Sequence, residues 1–242
     1  MKQILSNLIC QIAAGRIRIR RRRQIFDGIV GYEGIKHTFL RSLKSEEPVH
    51  VLLVGPPGHA KTLFLKCVLE IFGEKEAFLA LGGNASKSGM IDVLFEMRPK
   101  YLLIDEIEHL KAEYQTMLLS LMETGILTQT MHKRIRQAHL KTWVFATCNG
   151  TKKLSEPLLS RFRVMHLNEY SFSQFYEIAV KKLLAEGLYK KAAHEIAISV
   201  WEQLPNPNIR NCVQIGRLVK NESDIKMAIA DEVNNFKEYG GG

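Results

Sequence analysis

Residues 55–62 read Gly-Pro-Pro-Gly-His-Ala-Lys-Thr, which brings two glycines, a lysine and a hydroxyl into one short stretch. That set suits a polyphosphate. Gly55 and Gly58 let the backbone curl so that several N–H groups point inward, and a following helix N-terminus adds partial positive charge. Lys61 would reach the β- and γ-phosphates of a nucleotide, and the Thr62 hydroxyl would bind Mg²⁺. Pro56, Pro57, His59, Ala60 and Leu63 complete the expected cradle. The flanks fit this chemistry. Val49–Val54 is an apolar, β-branched run of strand length, and Leu63, Leu65, Val68, Leu69 and Phe72 fall on one helical face. Strand, glycine-rich turn and helix is the context that a phosphate-binding loop requires. The position before the lysine is normally glycine and here is Ala60. Its methyl group is expected to demand an ordinary backbone conformation and to leave nucleotide binding intact.

A second constellation follows downstream. Tyr101–Ile104 is a hydrophobic strand that runs straight into Asp105 and Glu106. In a chain that already carries a phosphate loop, this is the other half of an ATPase site. Asp105 would hold Mg²⁺, directly or through water, and Glu106 would orient and polarise the attacking water. Glu108 and His109 are expected on the surface at a helix start.

The remaining elements must position these groups. A helix is expected from about Glu33 to Leu43, a short strand over Phe78–Leu81, a loop over residues 82–90 and a short helix over Ile91–Glu96. A helix over Ala112–Glu123 stops at Gly125. Ile126–Thr130 alternates into a hairpin with Met131–Arg134 at its tip, and Thr142–Thr147 is a buried strand ending at Asn149. Pro157 forbids a continuous helix in the next segment, and Val164, His166 and Leu167 form the last core strand. Everything after that reads as helix. Ser171 and Gln174 have capping-box spacing, another helix covers Lys190–Leu204, Asn208 can cap Ile209–Lys220, and Ser223 can cap a final helix to about Lys237.

Composition bounds the function. The 242 residues carry a net charge of +9, and most of the excess lies in residues 1–23, with Lys2 and six arginines and no acidic residue. A near-neutral body with a basic N-terminal arm results. The arm could bind nucleic acid or another polyanion, pair with an acidic face of a neighbouring subunit, or serve solubility alone. The hairpin is also basic. Lys133, Arg134 and Arg136 could touch nucleic acid in a central channel, and the alternative is a hairpin that pairs with a neighbouring subunit. No stretch approaches the roughly 20 apolar residues of a membrane span. The N-terminal segment has its charges after its apolar part, the wrong order for a secretory signal. The four cysteines form no Cys-x-x-Cys pair, so reduced thiols and a cytoplasmic location are expected.

Taken in order, these elements resemble an AAA+ ATPase from about Phe26 to Asn235. More narrowly, the chain is similar to RuvB-like AAA+ proteins of archaeal type. The residues that carry the likeness are 55–62, the run from Asn84 to Glu108, Ser120–Gly125 with its hairpin, Phe145–Asn149, Leu154–Phe162 and Asn208–Lys220. The hairpin is also similar to those of the MCM and MoxR branches. The resemblance implies an α/β P-loop NTPase core with a parallel sheet and a small C-terminal all-helical lid. The expected organisation is a basic arm (1–25), a nucleotide-binding core (26–169) and a lid (170–242).

The resemblance also implies roles. Asn149 matches the sensor-1 position, although its place at a strand end also suits a plain turn residue. Arg161 matches an arginine finger acting on the nucleotide of the next subunit, with Arg163 as fallback and a surface salt bridge as the alternative for both. Arg210 matches sensor 2 in the lid. Ile29 and Val30 match the segment against adenine, with packing on the sheet as the equal alternative. ATP or ADP with Mg²⁺ is the implied ligand, and a homo-oligomeric ring of six is implied by a finger supplied in trans. Bacterial RuvB carries a further winged-helix DNA-binding domain, which is expected to be missing here. DNA contact would then fall to the hairpin, the arm or an adaptor protein. A MoxR-like remodeller of protein complexes and a nucleotide-switched scaffold are the alternatives to a DNA motor.

Overall fold

The computed structural model describes residues 25–83, 87–131, 134–219 and 221–239; within these, the side chains of residues 87, 88, 130, 131, 134, 222, 223 and 235–239 are outside the description. The basic arm and Lys133 therefore lie outside the described residues. Two compact units result, one of residues 25–56 and 60–167, the other of 57–59 and 168 onward.

The first unit is built on a five-stranded sheet. Its strands are β1 (Val51–Val54), β2 (Ala77–Leu81), β3 (Tyr101–Asp105), β6 (Trp143–Cys148) and β7 (Arg163–His166). The order is β2-β3-β6-β1-β7, and every pairing is parallel. A parallel sheet needs both faces covered, and the sequence supplies this by strict alternation. Leu52, Val54, Leu102, Ile104, Val144 and Ala146 face one core. Val51, Leu53, Tyr101, Leu103, Trp143 and Phe145 face the other. Helices α3 (Lys87–Met97) and α4 (Ala112–Thr124) cover the first face, through Leu94, Leu118 and Leu121 among others. Helices α1 (Glu33–Lys44) and α2 (Lys61–Phe72) cover the second, through Phe39, Phe64 and Val68. Helix α3 is longer than the short segment expected from the sequence.

Strands β4 (Ile126–Met131) and β5 (Arg134–His139) form the expected antiparallel hairpin, and a short helix α5 (Glu156–Ser160) precedes β7. The second unit is helical: α6 (Phe172–Ala185), α7 (Lys190–Gln203), α8 (Ile209–Leu218) and α9 (Glu222–Tyr239). Its core gathers Phe175, Ala179, Ile196, Cys212, Ile215 and Ile229. The capping box at α6 is present: Ser171 N donates to Gln174 Oε1 at 3.0 Å, and Gln174 N donates to Ser171 Oγ at 3.3 Å. Asn208 Oδ1 caps α8 by accepting from Asn211 N at 3.1 Å. Ser223 does not cap the last helix, because α9 already starts at Glu222.

His50 locks the start of β1 to its surroundings. Its Nδ1 accepts from Val144 N at 3.0 Å, which leaves Nε2–H to donate to Met122 O at 3.3 Å. That pattern needs the neutral ring. Burial holds its pKa below the usual 6.5, partly offset by the Met122 carbonyl. The unfolded chain therefore takes up a proton that the native ring refuses, so the neutral-pH stability drains away as pH falls below about 6.5. Urea unfolding at about pH 7.5 and about pH 5.5 should show a steeper loss in the wild type than in His50→Gln, which lacks the titrating group; equal slopes would contradict this.

Candidate active site

The three central strands end side by side. In register, Val54 pairs with Cys148, and Ile104 with Ala146, so the residues just past β1, β3 and β6 share one edge of the sheet. In open parallel sheets, ligands bind outside the carboxyl ends of the strands. All the chemistry foreseen at residues 55–62, 105–106 and 149 springs from this edge.

The loop leaves β1 as a continuation of the sheet. Gly55 N donates to Cys148 O at 3.2 Å, and Leu167 N donates to Val54 O at 2.8 Å. A Cβ on Gly55 would stand 2.9 Å from Leu167 O and 3.0 Å from Leu167 Cβ. Close approach, not torsion, is what requires glycine there. Gly58 carries the turn, at φ 85°. Pro57, Gly58 and His59 group with the second unit, and His59 Nδ1 lies 3.1 Å from Pro57 O. Ala60 sits at φ 12°, ψ 3°, so the ordinary conformation expected of it is not the one found. Its carbonyl accepts from Phe64 N at 3.1 Å, the first rung of α2. No side chain caps α2. Its first N–H groups are thus left without a side-chain cap, as an anion site requires. Leu63 is exposed on the opening turn.

Lys61 is 8% exposed. Its ammonium donates to Gly55 O and Pro56 O, both at 2.7 Å, and to Asn149 Oδ1 at 3.0 Å. Thr62 Oγ1 donates to Asp105 Oδ2 at 2.8 Å, with Oδ1 at 3.1 Å. Asp105 is buried. A hydroxyl and a carboxylate in contact are the oxygen donors that Mg²⁺ takes beside phosphate and water. Glu106 is exposed at the strand end and adopts φ 56°, ψ 49°. That left-handed conformation is uncommon for a residue with a Cβ, and it aims the carboxylate away from the sheet core.

Three contributors were not anticipated from the sequence. Thr147, 1% exposed, donates its hydroxyl to Asp105 Oδ1 and accepts from Glu106 N at 3.1 Å. Glu108 is buried and not on the surface: a single 3₁₀ turn, Ile107–His109, swings it back so that Oε1 accepts from Asn149 N at 2.8 Å. Gly82 donates its N–H to Asp105 O at 2.8 Å, and a Cβ there would stand 2.1 Å from Glu106 O. A glycine packed on an acidic strand end is a signal that the loop composition of residues 82–90 concealed. The Cys148 thiol, between Thr147 and Asn149, is pushed up to about 12 by burial and the nearby Glu108 charge. It stays protonated and offers no thiolate chemistry.

The other anticipated residues are dispersed. Arg161 caps α5 and pairs with Glu123 Oε1 at 2.8 Å. Arg163 is exposed and registers with Val51, the first residue of β1. The phosphate loop follows Val54, so both arginines stand at the opposite edge of the sheet, about 10 Å or more from it along the strands. Arg210 is exposed in the first turn of α8 in the second unit. Ile29 is buried against the core beside Phe26, Phe39 and Phe64, while Val30 is half-buried. Arg136 is folded back on α3, 3.4 Å from Asp92 Oδ1 and over the Phe95 ring at 4.6 Å. Arg134 lies at the start of β5, with its side chain outside the description.

Residues 51–170 match the family described as ATPase family associated with various cellular activities, AAA. They are an AAA ATPase domain. The wider chain is similar to the Holliday junction branch migration complex subunit RuvB. The Levilactobacillus brevis protein is 25% identical over 226 residues, 87% of this chain and 67% of that one. The Lactococcus lactis subsp. cremoris protein is 28% identical over 224 residues, 87% of this chain and 65% of that one. The chain thus spans about two thirds of the length of these relatives. Among solved structures, the Thermotoga maritima RuvB P216G mutant superimposes with a TM-score of 0.66 at 20% identity, over 90% of this chain and 80% of that one. At that identity the likeness speaks for the fold. An AAA ATPase domain binds nucleotide. Among the described residues, no helix is long and apolar enough to cross a membrane.

Gly82→Ala tests how tightly this edge is packed. Overpacking should cost about 1–3 kcal/mol and displace Glu106, lowering ATP turnover more than nucleotide affinity. Urea melts and steady-state ATPase assays read both; an unchanged turnover would contradict the packing.

Proposed function

We propose that this chain is a Mg²⁺-dependent ATPase that works as a ring, with RuvB-like remodelling of DNA as its task. The observation that carries the ATPase chemistry is a pair of contacts at one sheet edge, Lys61 with Asn149 and Thr62 with Asp105. Lys61 and the loop amides from Gly55 to Leu63 bind the phosphates. Thr62 and Asp105 hold the metal, which when bound neutralises charge on the phosphate oxygens. Glu106 accepts the proton of the attacking water, and Asn149 helps hold that water in line. Lys61 gives up its two loop carbonyls for phosphate oxygens when nucleotide enters. Arg210 reports nucleotide state from the lid, and Ile29 and Val30 back the adenine.

Arg161 supports the ring. It pairs with Glu123, and Arg163 just after it registers with the start of β1 and not with its loop end, so as a finger it would act on a neighbour's nucleotide. The resemblance to RuvB-like proteins points to six subunits. Contact with DNA falls to Lys133, Arg134 and Arg136, to the basic arm or to an adaptor protein. A second reading, MoxR-like remodelling of protein complexes, gains support from Arg136, which is engaged with Asp92 and Phe95 and is not presented freely.

Steady-state ATPase rates with single-stranded, duplex and four-way-junction DNA at two salt concentrations separate these readings. A DNA motor is stimulated, and the stimulation fades with salt. A rate that no DNA changes favours the protein-remodelling reading. The trans finger has its own test. Arg161→Ala and Glu106→Gln should each lose roughly 10³-fold or more in turnover while still binding ATP. Mixing the two should restore activity, because the Glu106→Gln subunit donates a finger to an intact site. No recovery on mixing would contradict a finger in trans.

A further inference from the structure

We propose that Thr147 is a positioning residue for hydrolysis: its one hydroxyl fastens the Asp105 carboxylate and the Glu106 backbone into a single unit. The proposal rests on the reading of the site given above and deepens it. Thr147 lies near the end of β6, the strand between β3 and β1. Its neighbours on the strand are Trp143, Val144, Phe145, Ala146 and Cys148, and all are buried. A hydroxyl in such a place is costly unless its bonds are made, and valine would fill the same volume. The hydroxyl must therefore answer to its partners.

Those partners are the two residues on which the chemistry depends. A hydroxyl has one hydrogen to give and lone pairs to receive. Thr147 gives its hydrogen to Asp105 Oδ1 and receives the Glu106 N–H at 3.1 Å. Asp105 is gripped from the other side by Thr62, at 2.8 Å and 3.1 Å. Thr62 is the residue assigned to the metal, which it would meet through a lone pair of its oxygen. Thr147 is the hydroxyl on Asp105 that has no part in holding the ion, and it keeps the carboxylate in one rotamer. The same oxygen anchors Glu106 at φ 56°, a conformation that needs support from its surroundings. One atom thus sets where the metal is held and where the base points.

The test uses Thr147→Val, which keeps the volume and removes the hydroxyl, and Thr147→Ser, which keeps the hydroxyl and removes the methyl. Binding of a fluorescent ATP analogue is titrated with and without Mg²⁺, beside kcat and KM for ATP and the melting temperature. In Thr147→Val, metal-free affinity should stay within about twofold of wild type. Loss of a hydrogen bond to a charged group should cut the tightening by Mg²⁺ about tenfold and lower kcat at least about tenfold. Thr147→Ser should recover both. A Thr147→Val protein whose Mg²⁺ response and kcat stay within about twofold of wild type overturns the proposal. So does a Thr147→Ser protein as impaired as Thr147→Val, since the methyl would then be what matters. Should Thr147→Val fail to fold, Thr147→Ser with wild-type Mg²⁺ response supports the proposal and an impaired one overturns it. A wild-type protein whose nucleotide affinity ignores Mg²⁺ overturns the metal reading itself, and this proposal with it, which marks that failure apart.

Discussion

A carboxylate buried at the end of a parallel strand is the constraint from which the rest of the site follows. Asp105 is 8% exposed and lies among apolar strands. An ionised group in that position is tolerable only when hydrogen-bonded. Thr62, from the helix after β1, and Thr147, from β6, supply the bonds on either side. Gly82 closes the strand end from β2 by bonding the Asp105 carbonyl. The elements after β1 and β2, and β6 itself, thereby hold one residue, two of them by its carboxylate and one by its backbone. The buried ammonium of Lys61 is its counterpart across the edge, held by two loop carbonyls and Asn149. Asn149 is held in turn by the buried Glu108.

The strand order explains why these groups can meet at all. β1 and β3 are not neighbours; β6 lies between them. A loop after β1 and an acid after β3 could therefore face each other only across the end of β6, and that is where Thr147 and Asn149 stand. Residues far apart in the chain become adjacent because parallel strands of similar length end together. The opposite edge is separate ground. There His50 ties β1 to β6 and α4, and Arg161 pairs with Glu123.

Much of this was legible in the sequence, and the boundary of legibility is physical. The phosphate loop and the Asp105–Glu106 pair declare themselves because few residue types can do that work between a strand and a helix. The core strands and the helical segment after residue 167 follow from runs and periodicities that burial demands, while the parallel pairing of the sheet is what the AAA+ resemblance implies. Side-chain direction is what the letters do not reveal. Glu108 reads as surface because it is charged and follows a strand, yet a 3₁₀ turn folds it inward. Thr147 reads as one more β-branched strand residue, although its hydroxyl is what matters. Gly82 is lost in a glycine-rich loop, where only the approach of the Glu106 carbonyl makes it singular. Arg136 reads as free positive charge, but the alternation of β5 turns it toward Phe95 and Asp92. Ser223 has a capping residue's chemistry but lies inside the helix that starts at Glu222.

The central claim is that Lys61 and Asp105 mark the place where nucleotide is bound. Calorimetric titration of ATP into the wild-type protein and into Lys61→Ala, with Mg²⁺ present, tests it most directly. Removing an ammonium that makes charge-assisted bonds to phosphate should weaken binding at least about tenfold while leaving the melting temperature near that of wild type. Lys61→Ala binding ATP as tightly as wild type would contradict the account, because the buried lysine would then serve the loop alone and the nucleotide would have to lie elsewhere.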